Sequence, residues 1–373
     1  MKNYRIIISG GGTGGHIFPA ISIANKLKQR YPSVEILFVG AENRMEMEKV
    51  PAAGYKIVGL PVSGFDRAHL LKNIKVVYQL IKSLFKAYAT IRSFKPDIAI
   101  GVGGFASGPV LRVSSWLGIP TLIQEQNSYA GVTNKLLAQS ANRICVAYEG
   151  MEQFFPADKI TITGTPVRQD LEDALDKKDD ALAYFGLTKG KKTILVVGGS
   201  LGAKTINASV IASLDTLLDA DDVQLIWQTG KLYYKEANKF LKAYRGIKIY
   251  HADFINRMDY AYALADLVIS RAGASSISEL CLLKKPVLLV PSPNVAEDHQ
   301  TKNAQALVQK EAAIMITDME ARTKLFSMAL DVVRDDVQLE KMSNHIADLA
   351  LCSAADRIVD EIIKIVEPGK AKK

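Results

Sequence analysis

The stretch Ile6-Ile7-Ile8-Ser9-Gly10-Gly11-Gly12-Thr13-Gly14-Gly15-His16-Ile17-Phe18-Pro19 sets the reading of the whole chain. Three β-branched residues in a row read as a buried strand, five glycines follow within six positions, and Pro19 sits where the first turn of a helix is expected. The unit is therefore strand, loop, helix start. Glycines in such a loop let backbone N–H groups approach an anion or a sugar, and the amino end of the helix adds partial positive charge. The spacing matches neither G-x-x-x-x-G-K-[ST] nor G-x-G-x-x-G, so it is neither a nucleoside-triphosphate loop nor a clean dinucleotide fingerprint. A histidine inside the loop sets it further apart.

The design recurs. Ile98 to Pro109 reads again as strand, glycine loop and helix with an early proline. Thr193-Ile194-Leu195-Val196-Val197-Gly198-Gly199-Ser200-Leu201-Gly202-Ala203 restarts it in the second half of the chain. Around these motifs, short apolar runs alternate with helical periodicity. Strands are expected at 34–39, 55–62, 121–123, 143–147 and 160–163, then at 224–228, 247–250, 267–270, 287–290 and 314–316. Strands that alternate with helices form a parallel sheet, and the duplication implies two Rossmann-like α/β domains. Ligands of such sheets gather beyond the carboxyl ends of the strands.

Several polar groups fall at that edge. Gln124-Glu125-Gln126-Asn127 follows a buried strand, as a site or as a polar turn. Arg271 to Leu280 opens a helix with glycine and small polar residues, which suits a phosphate; Glu279, one turn in, is placed to accept from ribose hydroxyls. The same segment also reads as an ordinary well-capped helix. Pro291 to Ala304 is a polar strand-to-helix loop, and Gly164 to Arg168 a hinge carrying one cation. His299 has no second histidine four residues on, so no metal site is expected there.

Composition narrows the function classes. At 373 residues the chain has room for two domains, and 48% apolar with 23% charged residues is ordinary for a globular protein. The charge balance, 47 − 39 = +8, favours acidic partners: nucleic acid, an anionic membrane face or phosphorylated substrates. No interleaved aromatic and basic patch supports nucleic acid. Cys145, Cys281 and Cys352 lack paired spacing, which argues against disulfides and zinc and fits a reducing compartment. No apolar run is long enough for a membrane span, so membrane contact is expected to be peripheral. Residues 69–95 form the candidate surface: a helix with Lys72, Lys75, Lys82, Lys86, Arg92 and Lys95 and no acid, read either as a membrane-surface helix or as a crossover helix on the sheet.

In this order, the blocks Gly10 to Pro19, Gly101 to Pro109, Glu125-Gln126-Asn127 with Gly131 to Lys135, Gly164 to Arg168, Gly198 to Ala203, Ser270 to Glu279 and Asp298-His299-Gln300 resemble the MurG family of bacterial cell-wall glycosyltransferases. The resemblance spans nearly the whole chain. It implies transfer of N-acetylglucosamine from UDP-N-acetylglucosamine to the C4 hydroxyl of undecaprenyl-diphosphate-linked muramoyl-pentapeptide. Inverting chemistry, no metal or other cofactor, and action at the inner face of the plasma membrane go with it. The implied fold is GT-B, with two Rossmann-like domains, a cleft between them and a last helix crossing back. The expected boundaries are 1–163 with helix 352–367 for the acceptor and membrane domain, and 164–351 for the UDP-sugar domain.

The same resemblance places Ser200 at the diphosphate, the backbone of Ile255 at uracil, and Ala274, Ser275, Ser276 and Glu279 near phosphate and ribose. Gln300 faces the donor sugar. Thr13, Gly14, Gly15 and Asn127 reach that sugar from the other domain, and Arg168 meets diphosphate charge. An inverting transfer needs a base for the acceptor hydroxyl: His16 leads, with Glu125 as the alternative. The competing readings are another GT-B glycolipid transferase, a UDP-sugar epimerase, and, from a different class, a dinucleotide-binding oxidoreductase.

Overall fold

The computed structural model describes residues 3–64, 73–167, 171, 176–199, 201–244, 246, 248–295, 298–351 and 353–367. It divides into two compact units, residues 1–168 with 351–373, and residues 169–350. Arg168, Ser200, Lys72 and Cys352 lie outside the described residues.

The first unit is built on a seven-stranded sheet in the order β3-β2-β1-β4-β5-β6-β7. Its strands are β1 (Arg5–Ser9), β2 (Glu35–Ala41), β3 (Lys56–Leu60), β4 (Ile98–Gly101), β5 (Thr121–Glu125), β6 (Arg143–Val146) and β7 (Ile160–Ile162). Every pairing is parallel. The second unit carries six strands in the order β10-β9-β8-β11-β12-β13. These are β8 (Lys192–Val197), β9 (Val223–Gln228), β10 (Ile249–Ala252), β11 (Leu267–Ser270), β12 (Val287–Leu289) and β13 (Ile314–Met315), again all parallel. In both sheets the chain order reverses beside the first strand, between β1 and β4 and between β8 and β11. That reversal opens a crevice at the carboxyl ends, where ligands of this architecture bind.

The isoleucine run explains why β1 is central. Ile6 and Ile8 pack into one core with Ile17, Ile23 and Leu27, while Ile7 points into the opposite core with Val39, Ile91 and Ile123. All three isoleucines are fully buried, each burial contributing roughly 1.5–3 kcal/mol. A strand covered by helices on both faces needs apolar residues in both phases of its pleat, hence a continuous run in place of alternation. β8 repeats the device: Ile194 and Val196 serve one core and Leu195 the other.

The helix Gly14–Arg30 begins five residues before the proline expected to start it, so Pro19 lies inside the helix. Its first turn is therefore Gly14, Gly15 and His16, behind Thr13 as N-cap. The helix Ala354–Val366 completes the first unit. Its Ile358, Val359 and Ile362 enter the core beside Ile23, Ala24 and Leu27. Lys26 pairs with Asp356 at 3.1 Å, Arg30 with Asp360 at 2.7 Å, and Arg143 with the buried Glu361 at 3.1 Å. Residues 164–167 also belong here, although the sequence boundary placed them with the second domain. The Ser22 hydroxyl donates to the Val167 carbonyl, and Gly164, at φ +86°, sits where an added Cβ would meet that of Leu351 at 2.7 Å.

Candidate active site

In the first unit three loops meet at the carboxyl edge, after β1, β4 and β5. The β1 and β4 loops touch backbone to backbone: a Cβ on Gly104 would fall 2.4 Å from the Gly11 carbonyl oxygen. The buried Ser107 hydroxyl sits 2.8 Å from the Ser9 carbonyl and 2.9 Å from that of Gly103, fastening β1 to the β4 loop. Gln126 donates to the Val102 carbonyl at 2.7 Å and joins the β5 loop to the same cluster.

His16 lies at the centre, half-buried. Its Nδ1 is 3.0 Å from the Gly11 carbonyl and 3.4 Å from the Thr13 hydroxyl. A carbonyl oxygen only accepts, so Nδ1 carries the ring proton and Nε2 keeps its lone pair. The Nε2 edge lies over Gly103, where an added Cβ would be 2.7 Å from both Nε2 and Cδ2. Gly103 also holds φ +95°, a conformation strained for any side chain. Gly103→Ala should therefore cover the Nε2 lone pair. Turnover is expected to fall about 100-fold while the protein stays folded, as read by steady-state kinetics beside a thermal melt.

Glu125 is placed differently from the expectation of an alternative base. Its Oε1 accepts from the Asn127 backbone N–H and Nδ2, each at 3.1 Å. Its Oε2 accepts from the Gly131 N–H at 2.9 Å and Asn134 Nδ2 at 2.8 Å. Four donors commit both oxygens of a buried carboxylate, leaving no lone pair for a hydroxyl proton. The arrangement suits an anchor for the 126–134 loop, with Asn127 held at its start.

The second unit gathers a separate set at its own carboxyl edge. Gln228, which sequence reasoning passed over, bridges two elements: Nε2 donates to the Gly199 carbonyl at 3.1 Å, and Oε1 accepts the Ile255 N–H at 3.0 Å. The Ile255 amide is thus committed. Gly202 and Gly230 allow the β8 and β9 loops to abut, since a Cβ on Gly230 would lie 2.1 Å from the Gly202 nitrogen.

The helix Ala274–Leu282 starts after β11 behind Gly273, with no side-chain cap and no acid in its first turn. Ala274, Ser275 and Ser276 form that first turn, whose backbone N–H groups carry the positive end of the helix dipole. Glu279 accepts from the Tyr262 hydroxyl at 3.0 Å. Gln300 Oε1 accepts the Ser292 N–H at 2.9 Å and fixes the loop after β12. Arg271 supports that loop from below, donating to the Val290 and Pro291 carbonyls at 3.0 Å each and pairing with Asp318 at 2.6 Å.

Other chemistries find less support in the geometry. Burial pushes both described thiols up, that of Cys281 to about 12, so neither is a ready thiolate. Glu42, the acid after β2 that a dinucleotide site would turn toward ribose, instead pairs with Lys86 at 2.8 Å. Among the described residues no group of three or more His, Cys, Asp or Glu is arranged to hold a metal ion.

Residues 6–146 match the Glycosyltransferase family 28 N-terminal domain, and residues 193–358 match the Glycosyltransferase family 28 C-terminal domain. The chain is 70% identical to the UDP-N-acetylglucosamine--N-acetylmuramyl-(pentapeptide) pyrophosphoryl-undecaprenol N-acetylglucosamine transferase of Parabacteroides distasonis, over 98% of this chain and 100% of that one. It is 60% identical to the enzyme of the same name from Bacteroides thetaiotaomicron, over 98% and 99%. Among solved structures, MurG of Acinetobacter baumannii superposes with a TM-score of 0.75 at 27% identity, over 97% of this chain and 99% of that one. A UDP-N-acetylglucosamine 2-epimerase reaches 0.69 at 16% identity, over 100% and 98%, a likeness of fold alone. The two Rossmann-like units are thus those of a GT-B glycosyltransferase, and the chain belongs to the family of MurG transferases that its full-length relatives represent.

Proposed function

We infer that this chain transfers N-acetylglucosamine from UDP-N-acetylglucosamine to muramoyl-pentapeptide carried on undecaprenyl diphosphate, converting lipid I to lipid II in peptidoglycan synthesis. Identity of 70% across the whole length of a relative named for that reaction carries the reading. The chemistry assigned to each unit is our own proposal. The second unit holds the nucleotide: the Ile255 carbonyl meets the uracil N–H, Glu279 the ribose, and the Ala274 to Ser276 helix start the diphosphate. Gln300 turns to the donor sugar. The first unit brings the acceptor, with Thr13, Gly14, Gly15 and Asn127 toward the donor sugar.

The reaction proposed is a single inverting displacement. The acceptor C4 oxygen attacks the anomeric carbon, its proton passes to His16 Nε2, and the carbon–oxygen bond to UDP breaks with its electron pair leaving on the diphosphate. Helix-end charge at Ala274 supports that leaving group. Transfer is therefore expected to proceed unchanged in EDTA and to require the lipid-linked acceptor for UDP release. Loss of transfer in chelator would remove the metal-free mechanism, and UDP release without acceptor would point to a different transferase or an epimerase.

Peripheral binding to the inner face of the plasma membrane is part of the proposal. No described helix is long and apolar enough to cross a membrane. The helix Asn73–Phe94 buries a narrow face, Val76, Ser83, Ala87 and Ile91, against its unit. It turns out a second apolar face of Val77, Tyr78, Ile81, Phe85 and Tyr88, with Phe85 73% and Tyr78 67% exposed. A helix that only crossed over the sheet would have no use for that second face.

A further inference from the structure

Glu46 is fully buried, yet it belongs to no part of the reaction described so far. Its Oε1 accepts the Ala41 N–H at 2.9 Å, at the end of β2. Its Oε2 accepts the Gly12 N–H at 2.9 Å. That N–H belongs to the same peptide group as the Gly11 carbonyl, which accepts Nδ1–H of His16 at 3.0 Å. One amide is therefore gripped at both ends, by a carboxylate on its N–H and by the imidazole on its carbonyl oxygen. A carboxylate on the N–H polarises the amide and makes its oxygen a stronger acceptor.

The surrounding glycines are cut to fit the carboxylate. A Cβ on Gly11 would lie 2.0 Å from Glu46 Oε1, and one on Gly40 would lie 2.5 Å from Glu46 Cγ. Gly11 and Gly40 thus make room for a side chain, in addition to any room they give a ligand.

We propose that Glu46 is a positioning residue for His16, acting through the Gly11–Gly12 peptide to hold the imidazole as its Nδ1–H tautomer with Nε2 as the proton acceptor. The proposal rests on the reading of His16 as the base. It assigns to a carboxylate, a peptide group and a histidine the work that a directly bonded carboxylate and histidine do elsewhere.

The test is Glu46→Gln in the full-length protein, with imidazole-labelled histidine followed by NMR and transfer followed with UDP-N-acetylglucosamine and the lipid-linked acceptor. Glutamine keeps the volume, removes the charge and cannot accept from both backbone N–H groups. The His16 ring is expected to lose its preference for the Nδ1–H tautomer, and its protonation to move to lower pH, because the anion favours the imidazolium. Turnover should fall about 10-fold with the donor KM unchanged, and Glu46→Gln should add nothing to a His16→Ala background. Unaltered His16 titration and tautomer in Glu46→Gln, or additive losses in the double variant, overturn the proposal. Normal turnover in His16→Ala overturns the base reading instead, whatever the titration shows. If Glu46→Gln does not accumulate as folded protein, Glu46→Asp, with its carboxylate drawn back by one methylene, is titrated instead. It must move the tautomer preference in the same direction.

Discussion

His16→Ala is expected to lower kcat about 1000-fold while leaving the KM for UDP-N-acetylglucosamine within about twofold, since general-base catalysis is worth 100- to 10,000-fold. A loss of that size is about 4 kcal/mol of transition-state stabilisation. The asymmetry follows from the assignment of the donor's nucleotide to the second unit, whereas His16 belongs to the first. A base acts only in its neutral form, so activity in the native enzyme rises with pH as the imidazole loses its proton, and that limb should vanish from the variant's profile. Equal losses in kcat and in donor affinity would make His16 a binding residue. The replacement leaves the Gly11 carbonyl without its imidazole donor, so the melt must be compared beside the kinetics.

The second large effect is expected at the membrane. Ile81→Asp with Phe85→Asp should weaken partition onto anionic vesicles by at least about 100-fold, because each apolar side chain contributes roughly 1.5–3 kcal/mol when it leaves water and each carboxylate is repelled by the lipid. Transfer to a soluble acceptor analogue should be unaffected, because both side chains are turned to solvent. Undiminished vesicle binding would return the helix to a purely packing role. Lys82 to Gln gives a graded companion, worth about 1 kcal/mol per charge and sensitive to salt.

The fold was legible because its signals are local. Ile6-Ile7-Ile8 and Thr193 to Val197 declare strands buried on both faces, and the glycines behind them declare strand-end loops. Pro19 misled, because proline at a helix start is the commoner arrangement; here Gly14 and Gly15 adopt helical geometry earlier, and glycine carries no side-chain signal of doing so.

Which polar residues gather at the two carboxyl edges was legible, and how each is held was less so. Glu125 stands in a polar cluster that invites a catalytic reading, and only the positions of Asn127, Gly131 and Asn134 reveal an anchor. Glu46 looks like any acid in the first turn of a helix, and Gln228 like the polar end of a strand. Both act on backbone groups brought close by the sheet, a relation that no pattern along the chain encodes. The one trace of Glu46 in the sequence is indirect: more glycines cluster at 10–12 and 40 than a ligand loop alone requires.

The helix Ala354–Val366 also joins distant parts of the chain. The second unit is one uninterrupted stretch of chain, whereas the core of the first stays open until Ile358, Val359 and Ile362 are supplied from the other end. The second unit draws its core from a single run of chain, while the Ile23 and Leu27 surface of the first is covered only by residues more than 300 positions away. That helix is thus the part without which the core of the first unit is not closed.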